Sequence, residues 1–493
     1  MPGFHVEHFG CRVARADGEA VSGRLRAAGL GERNPAVADV VVVNTCSVTA
    51  EADRAARAYI RRAHRLNPEA RIVVTGCYAQ RAPEELAGLA GVAAVVGNSH
   101  KALAPEIVLG LLERAEPREG NGPIQVQAAT NIERAISGQL APPQGSQVVW
   151  ADDRFAHSFL EEAQVVPGAQ TRPNLKIQEG CGNRCTFCVI PQTRGSSRSL
   201  PAASVLNQVE GFVAACGNEL VLSGINLGRW GWDLPACDRL PRPTLAGLVR
   251  EIFEQTALPR LRLSSIEPMD WNAELIGLMA EFGGTRLARH AHLPLQSGSD
   301  DVLRRMHRRY RPWHYVEKVA ALRRAAGPEL TLGADVMAGF PGETDREFEE
   351  TLELVRALPF GYLHLFPFSP RPDTPGWAMH DQAPVRAAVV EERMKALRAM
   401  AAEKSRTHRE QFVGREVEAI TLRTPEVLQY RGWTVALTEN FLPMEIEAEL
   451  PANRLVRVRV TGLNAEGALE AEAARLVQGA ALMAGAENNP AAV

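Results

Sequence analysis

The chain has 493 residues, of which 45% are hydrophobic, 23% charged and 6% aromatic. At ~100–200 residues per domain that length predicts about three domains, and the mixture excludes wholesale disorder and a collagen-like fibre. Basic residues number 55 and acidic residues 58, a net charge of −3, which excludes a polycation that holds nucleic acid by bulk charge.

The opening MPGFHVEHFG lacks the basic stretch and apolar core of a signal peptide. No run of about 20 apolar residues occurs, so no membrane span is expected and a cytoplasmic location is the default. Residues 1–118 alternate strand and helix. VADVVVVN (Val37 to Asn44) predicts a strand buried on both faces, and Ala50 to Leu66 a helix stopped by Asn67-Pro68. Strands follow at Ala70 to Gly76 and Gly91 to Asn98, with a helix at Pro83 to Leu89 between them. This order predicts an open parallel sheet with helices on both faces.

Between residues 119 and 171 the periodicity fades into stretches such as APPQGSQ, which predicts a linker with one short helix near His157 to Ala163. A second α/β series fills residues 172–410. Its strands are expected at Asn174 to Gln178, Glu219 to Leu222, Arg260 to Ser264, Ala291 to Pro294, Thr331 to Val336 and Tyr362 to Phe366. Six strands separated by helices suit a partial (β/α) barrel, whose active site lies at the carboxyl ends of the strands. One charged helix over 383–411 trails it. Short alternating runs over 411–479 predict a small antiparallel β-barrel, and residues 480–493 a disordered tail. The fold class is therefore α/β with a small β-barrel at its carboxyl end.

Eight cysteines are too few for a disulfide scaffold in so long a chain; regular spacings in a reducing compartment point to metal or redox chemistry. GCGNRCTFC places Cys181, Cys185 and Cys188 on one loop directly after the first barrel strand. Three thiolates there can reach three irons of a cube-shaped iron–sulfur cluster and leave the fourth open to an exogenous molecule. The alternative is a zinc knuckle, which wants four closed ligands; no fourth Cys or His lies within the loop. Cys11, Cys46 and Cys77 each follow a predicted strand of the first sheet. Ligands of open α/β sheets bind beyond the carboxyl strand ends, so these three are expected to converge. Taken singly, each would be a small buried hydrophobe. Three at equivalent strand ends predict a second cluster with another open iron.

The Cys181 loop resembles that of the radical S-adenosylmethionine (SAM) superfamily. Phe187 matches the aromatic position that its members place near the adenine of SAM. NTCSVTAEADRAAR (Asn44 to Arg57), VVTGCYAQ (Val73 to Gln80), KIQEGCGNRCTFCVIPQTRGSSRS (Lys176 to Ser199), LSSIEP (Leu263 to Pro268), HLPLQSGSDDVLRRM (His292 to Met306) and GADVMAGFPGET (Gly333 to Thr344) occur in that order. Together they make the chain similar to the radical SAM methylthiotransferases. That resemblance implies an amino-terminal cluster domain, a radical SAM barrel and a carboxyl-terminal TRAM-like barrel that binds RNA. It implies two [4Fe-4S] clusters, SAM as both radical source and methyl donor, and an electron donor such as flavodoxin or ferredoxin. Among the family's branches the motifs are most similar to the one that methylthiolates C2 of N6-threonylcarbamoyladenosine at position 37, in the anticodon loop of tRNA. Isopentenyladenosine-37 or a ribosomal-protein aspartate are the substrates of the alternative branches. A non-catalytic iron–sulfur protein that binds RNA is the alternative of a different class. One departure stands out: Ala14 occupies a position where the family usually has asparagine, which questions the hydrogen bonding around that cluster.

The resemblance places Ser223 and Gly224 near the methionine amino group of SAM. Glu267, Gln296 and Asp335 close predicted strands and are candidates for its ribose hydroxyls or sulfonium surroundings, or else structural hydrogen bonds. Gly339 and Gly342 are expected to let the backbone approach the adenine, or else to form a tight turn. Arg304, Arg305, Arg308, Arg309 and Arg311 crowd one helix end, where they can neutralise RNA phosphates or form a solvated face. Residues 415–475 hold seven Arg against ten Glu. RNA contact there must use a local group, Arg454, Arg457 and Arg459, with Trp433 for stacking.

Overall fold

The computed structural model describes residues 2–113, 125–126, 148–153, 155, 171–235 and 242–476. The helix expected near His157 and the tail expected from Ala480 lie outside them. The first sheet consists of β1 (Gly3–His8), β2 (Gly31–Glu32), β3 (Val40–Thr45), β4 (Arg71–Gly76), β5 (Val92–Gly97), β6 (Gln125–Val126) and β7 (Val148–Trp150). All pair in parallel, in the order β2-β1-β3-β4-β5-β7-β6. Val40 and Val42 pack with Val21 and Leu25 of helix α1 (Arg12–Ala27), whereas Val41 and Val43 pack with Ala56, Tyr59 and Ile60 of α2 (Ala50–Leu66). Burial on both faces is why β3 reads as continuous valine and not as an alternation. From β1 the chain goes to β2 on one side and returns to β3 on the other. That reversal opens a crevice beyond the carboxyl ends of β1 and β3.

The span 119–171 is not wholly a linker. Val148, Val149 and Trp150 form β7 beside β5, with Val149 and Trp150 buried. A strand of three residues is too short for periodicity to register.

The second domain contains β8 (Asn174–Glu179), β9 (Arg198–Ser199), β10 (Glu219–Gly224), β11 (Arg260–Leu263), β12 (His290–His292), β13 (Thr331–Ala338) and β14 (Phe360–Pro367). All except β9 are the parallel strands of the expected partial barrel. Strands β8, β10 and β11 make one half and β12, β13 and β14 the other. The halves meet where Leu261 bridges Leu287 and the Ile266 N–H donates to the His292 carbonyl at 3.0 Å. The trailing helix begins at Ala387, not at 383, and runs to Glu410. Pro384 keeps Ala383 out of the helical region, at φ −141° and ψ 62°, after a separate helix over Pro375–Gln382.

β15 (Glu416–Thr421), β16 (Thr434–Thr438), β17 (Pro443–Ile446), β18 (Leu455–Leu463) and β19 (Leu469–Leu476) close into a barrel in the order β15-β16-β17-β19-β18. Its pairs are antiparallel as expected, except that β17 runs parallel to β19.

Buried charge ties this last domain to the floor of the partial barrel. Glu219 opens β10 and accepts from Arg262 Nε at 2.8 Å and Arg172 Nη1 at 3.4 Å. Arg262 also donates to the Glu439 carbonyl at 2.9 Å. Burial alone would raise the Glu219 carboxyl, but Arg262, Arg172 and Arg260 outweigh it and hold it at about 2 against an ordinary 4.5. A carboxylate whose pKa is lower folded than unfolded stabilises the fold above the unfolded value. That contribution is lost as pH falls from about 4.5 toward 2. At about 1.36 kcal/mol per pH unit it amounts to roughly 3 kcal/mol. In cluster-free protein, Glu219→Gln is expected to melt well below wild type at pH 7. The gap in thermal midpoint is expected to narrow as pH approaches 3; a gap of constant size would contradict this account.

Two cysteine trios at the carboxyl ends of two sheets

The barrel loop leaves β8 through Gly180, whose φ of +71° and approach to the Ser196 carbonyl leave no room for a Cβ. The Cys181 N–H then donates to the Gly195 carbonyl at 3.0 Å and the Cys188 N–H to the Cys185 carbonyl at 3.1 Å. Thr186 pins the loop from below, its N–H to the Met306 carbonyl at 3.2 Å and its hydroxyl to the Arg305 carbonyl at 3.0 Å. Donors face the sulfurs. Cys181 Sγ receives the Asn183 N–H at 3.4 Å and Asn226 Nδ2 at 3.6 Å, and Cys185 Sγ receives Arg308 Nη1 at 3.3 Å.

The second trio hangs on the crevice of the first sheet. Cys11 caps the amino end of α1, Cys46 follows β3, and Cys77 opens the helix Cys77–Arg81 after β4. Gly10 turns with φ +104°, and a Cβ there would stand 2.7 Å from Cys46 Sγ, so only glycine lets the two straps meet. Cys77 Sγ receives Arg194 Nε at 3.3 Å and Asn98 Nδ2 at 3.4 Å. Beside Cys46, the Ser47 hydroxyl donates to Asp53 at 2.9 Å and accepts from Arg81 Nε at 2.8 Å and Arg371 Nη2 at 3.0 Å. Arg371 follows β14, so the barrel domain clamps the strap that bears Cys46. At Ala14 the side chain is buried, and its carbonyl accepts from Asn44 Nδ2.

All six thiols are free. Thiolates around one tetrahedral zinc at 2.3 Å stand about 3.8 Å apart. Among the described residues, neither trio brings all three of its sulfurs within 4.8 Å of one another. Three thiolates so spread suit a cluster with a sulfur-rich surface better than one tetrahedral ion. Burial, with neighbouring thiols, pushes Cys46 and Cys188 up to about 12. A group that supplies positive iron offsets that cost.

The other expected site residues divide. Ser223 is buried in β10, and Gly224 sits at a register shift where a Cβ would meet Gln178 at 2.9 Å. Gln296 takes a left-handed backbone, φ +63°, and its buried Oε1 has no partner, a strained position of the kind found at functional sites. Asp335 Oδ1 lies 3.4 Å from His292 Nε2 and 3.3 Å from His364 Nδ1. Burial opposes its ionisation, but the two imidazoles hold its carboxyl well below the usual range. Phe187 packs on the barrel core beside Gly376. Glu267 is already taken: both its oxygens accept from Arg308 Nη2, at 2.6 and 2.8 Å.

Arg308 is therefore no RNA-facing residue. It is buried between Glu267, Tyr310 and Cys185 because His307, at φ +55°, turns the chain inward. Arg305 is paired with Glu347, Arg309 with Asp270, and Arg304 and Arg311 with Asp300. At Gly339 the close approach is to Val390 of the trailing helix, and the Gly342 N–H bonds the Ala383 carbonyl at 2.9 Å. Their turn packs that helix. Arg454, Arg457 and Arg459 are exposed, the last two opposite Glu418 and Glu416 across the strand pair. Arg194, Asn98, Asn226 and Arg371 were not among the sequence candidates; each meets its partner from a distant part of the chain.

Residues 3–97 match the uncharacterized protein family UPF0004, and residues 175–355 match the radical SAM superfamily. The threonylcarbamoyladenosine tRNA methylthiotransferase MtaB of Bacillus subtilis is 34% identical over 461 residues, 93% of each chain. MtaB of Aquifex aeolicus is 32% identical over 456 residues, 92% of this chain and 99% of its own. The tRNA-2-methylthio-N(6)-dimethylallyladenosine synthase of Geobacter metallireducens is 32% identical over 382 residues, 77% of this chain and 78% of its own. A partial barrel with three cysteines after its first strand defines a radical SAM enzyme. Matched almost end to end by such relatives, the chain belongs to the radical SAM methylthiotransferase family. It is a transferase whose cofactors are SAM and [4Fe-4S] clusters. Among the described residues no helix is long and apolar enough to cross a membrane.

Proposed function

We propose that the chain transfers a methylthio group to C2 of N6-threonylcarbamoyladenosine at position 37, in the anticodon loop of tRNA. The observation that carries this reading is the near end-to-end likeness to relatives named for that substrate. Cys181, Cys185 and Cys188 would hold one [4Fe-4S] cluster and Cys11, Cys46 and Cys77 the other, three protein thiolates for four irons in each case. When bound, the barrel cluster would supply the electron for reductive cleavage of SAM, and a further SAM would be the methyl donor.

The chain's own side chains prepare that chemistry. Arg308 and Asn226 donate to the barrel thiolates, and Glu267 holds Arg308 in place. Ser223 and Gly224, at the end of β10, lie where the SAM methionine is expected. The unpartnered Gln296 amide oxygen takes a ribose hydroxyl, and Phe187 backs the adenine. Asp335, held ionised between His292 and His364, presents an acceptor inside the barrel. The exposed Arg454, Arg457 and Arg459, with Trp433, face RNA, while a cytoplasmic flavodoxin or ferredoxin supplies electrons.

Nucleoside mass spectrometry of tRNA from a strain lacking this chain tests the substrate. Loss of 2-methylthio-N6-threonylcarbamoyladenosine, with the unmethylthiolated nucleoside accumulating, is the expected result. Loss of the isopentenyl counterpart, or an unchanged tRNA profile, would contradict it.

A further inference from the structure

A cluster of five buried charges lies between the two trios. Asp17 comes from α1 and Lys101 from the segment after β5; Lys176 and Glu179 come from β8, and Arg194 from the helix after the barrel loop. Lys101 Nζ bonds Asp17 at 3.0 Å and Glu179 at 2.6 and 2.7 Å, and Lys176 Nζ bonds Glu179 at 2.7 Å and also Asp17. Arg194 Nη1 donates to Asp17 at 3.0 Å and to Glu179. Among the described residues three cations thus share these two carboxylates.

The guanidinium of Arg194 divides its donors between this cluster and the amino-terminal trio. Its Nη1 is spent on the carboxylates. Its Nε donates to Cys77 Sγ at 3.3 Å, and its buried Nη2 has no partner. In the rigid guanidinium fork, Nε–H and one Nη2–H run parallel along a single edge. The unsatisfied N–H therefore points to the side where Cys77 stands. Through the next residue the same segment holds the other trio, because the Gly195 carbonyl accepts the Cys181 N–H at 3.0 Å. Just before it, the Thr193 carbonyl accepts Asn98 Nδ2 at 2.9 Å, the amide that also reaches Cys77.

We propose that Arg194, carried by the barrel domain, is a positioning residue of the amino-terminal cluster, its Nε–Nη2 edge donating to Cys77 Sγ and to a second sulfur of the bound cluster. The positive charge of the guanidinium beside Cys77 favours the more negative, reduced form of that cluster. Hydrogen bonds to sulfur and local charge are the levers by which proteins set cluster potentials. The barrel domain thereby tunes a cofactor whose ligands all belong to the other domain. This inference rests on the two-cluster reading above.

The test uses the full chain with Cys181→Ala, Cys185→Ala and Cys188→Ala together, so that only the amino-terminal cluster assembles. Iron content and an EPR-monitored redox titration are measured with Arg194, Arg194→Gln and Arg194→Lys. Arg194→Gln is expected to keep its iron and to disfavour reduction at least tenfold, a fall of about 59 mV for a one-electron couple. Arg194→Lys, which keeps the charge and loses the fork, is expected to fall by less than half as much. Should Arg194→Gln lose its iron, retention by Arg194→Lys at an unchanged melting temperature would still bear the proposal out. An unshifted potential in Arg194→Gln, or iron lost equally from both variants together with thermal stability, would overturn it. If the triple-alanine chain takes up no iron even with Arg194 intact, the two-cluster reading itself fails and the proposal falls with it.

Discussion

Cys185→Ala is expected to abolish release of 5′-deoxyadenosine from SAM by the reduced protein, and with it all methylthio transfer. Cys185 is one of three thiols on a loop fixed at both ends, by Gly180 and Gly195 above and by Thr186 on the Arg305 and Met306 carbonyls below. No fourth cysteine lies within that loop to replace it. The substitution also leaves Arg308, buried against Glu267, without the sulfur its Nη1 meets. Ligands of one cluster act as a unit, and losing one member of a catalytic unit costs about as much as losing all, so the fall is at least about 10³-fold. Anaerobic turnover with chromatographic detection of 5′-deoxyadenosine checks it. Release at the wild-type rate would refute the assignment of the loop.

Cys46→Ala is expected to separate the two halves of the reaction. Reduced protein keeps releasing 5′-deoxyadenosine, because the barrel loop is untouched, but methylthiolated tRNA falls at least about 10³-fold. Cys46 is buried at 5% exposure among apolar and polar neighbours of the crevice. A small hydrophobe replaces a small hydrophobe there, so the fold tolerates the change. The Ser47, Asp53, Arg81 and Arg371 clamp beside it stays intact. Parallel assays of 5′-deoxyadenosine and of tRNA nucleosides distinguish the outcomes. Retained methylthiolation would mean that the crevice cysteines are the packing residues that each resembles when taken singly.

Much of this architecture is legible in the sequence because its signals are local. The valine run of β3, the six barrel strands and the Gly-Cys pairs at strand ends are short patterns, and parallel-sheet topology then dictates that cysteines after neighbouring strands share one edge. What was not legible depends on partners far apart in the chain. Arg308 sits in a run of arginines that reads as a basic surface. Only the left-handed turn at His307, flanked by buried Met306 and Tyr310, sends it into the cluster loop. Gly339 reads as a ligand-approach glycine, yet the side chain it admits belongs to Val390. Arg194 and Arg371 meet Cys77 and Ser47 across a domain boundary, where no spacing rule applies.

Iron content is the most direct measure of the claim on which the mechanism rests. Anaerobically reconstituted wild-type protein is expected to hold about eight irons per polypeptide, four at each trio. Cys181→Ala/Cys185→Ala/Cys188→Ala and Cys11→Ala/Cys46→Ala/Cys77→Ala are each expected to hold about four, with Mössbauer parameters of [4Fe-4S] clusters. Wild-type protein that saturates at about four irons, with one triple variant unaffected, would contradict the account.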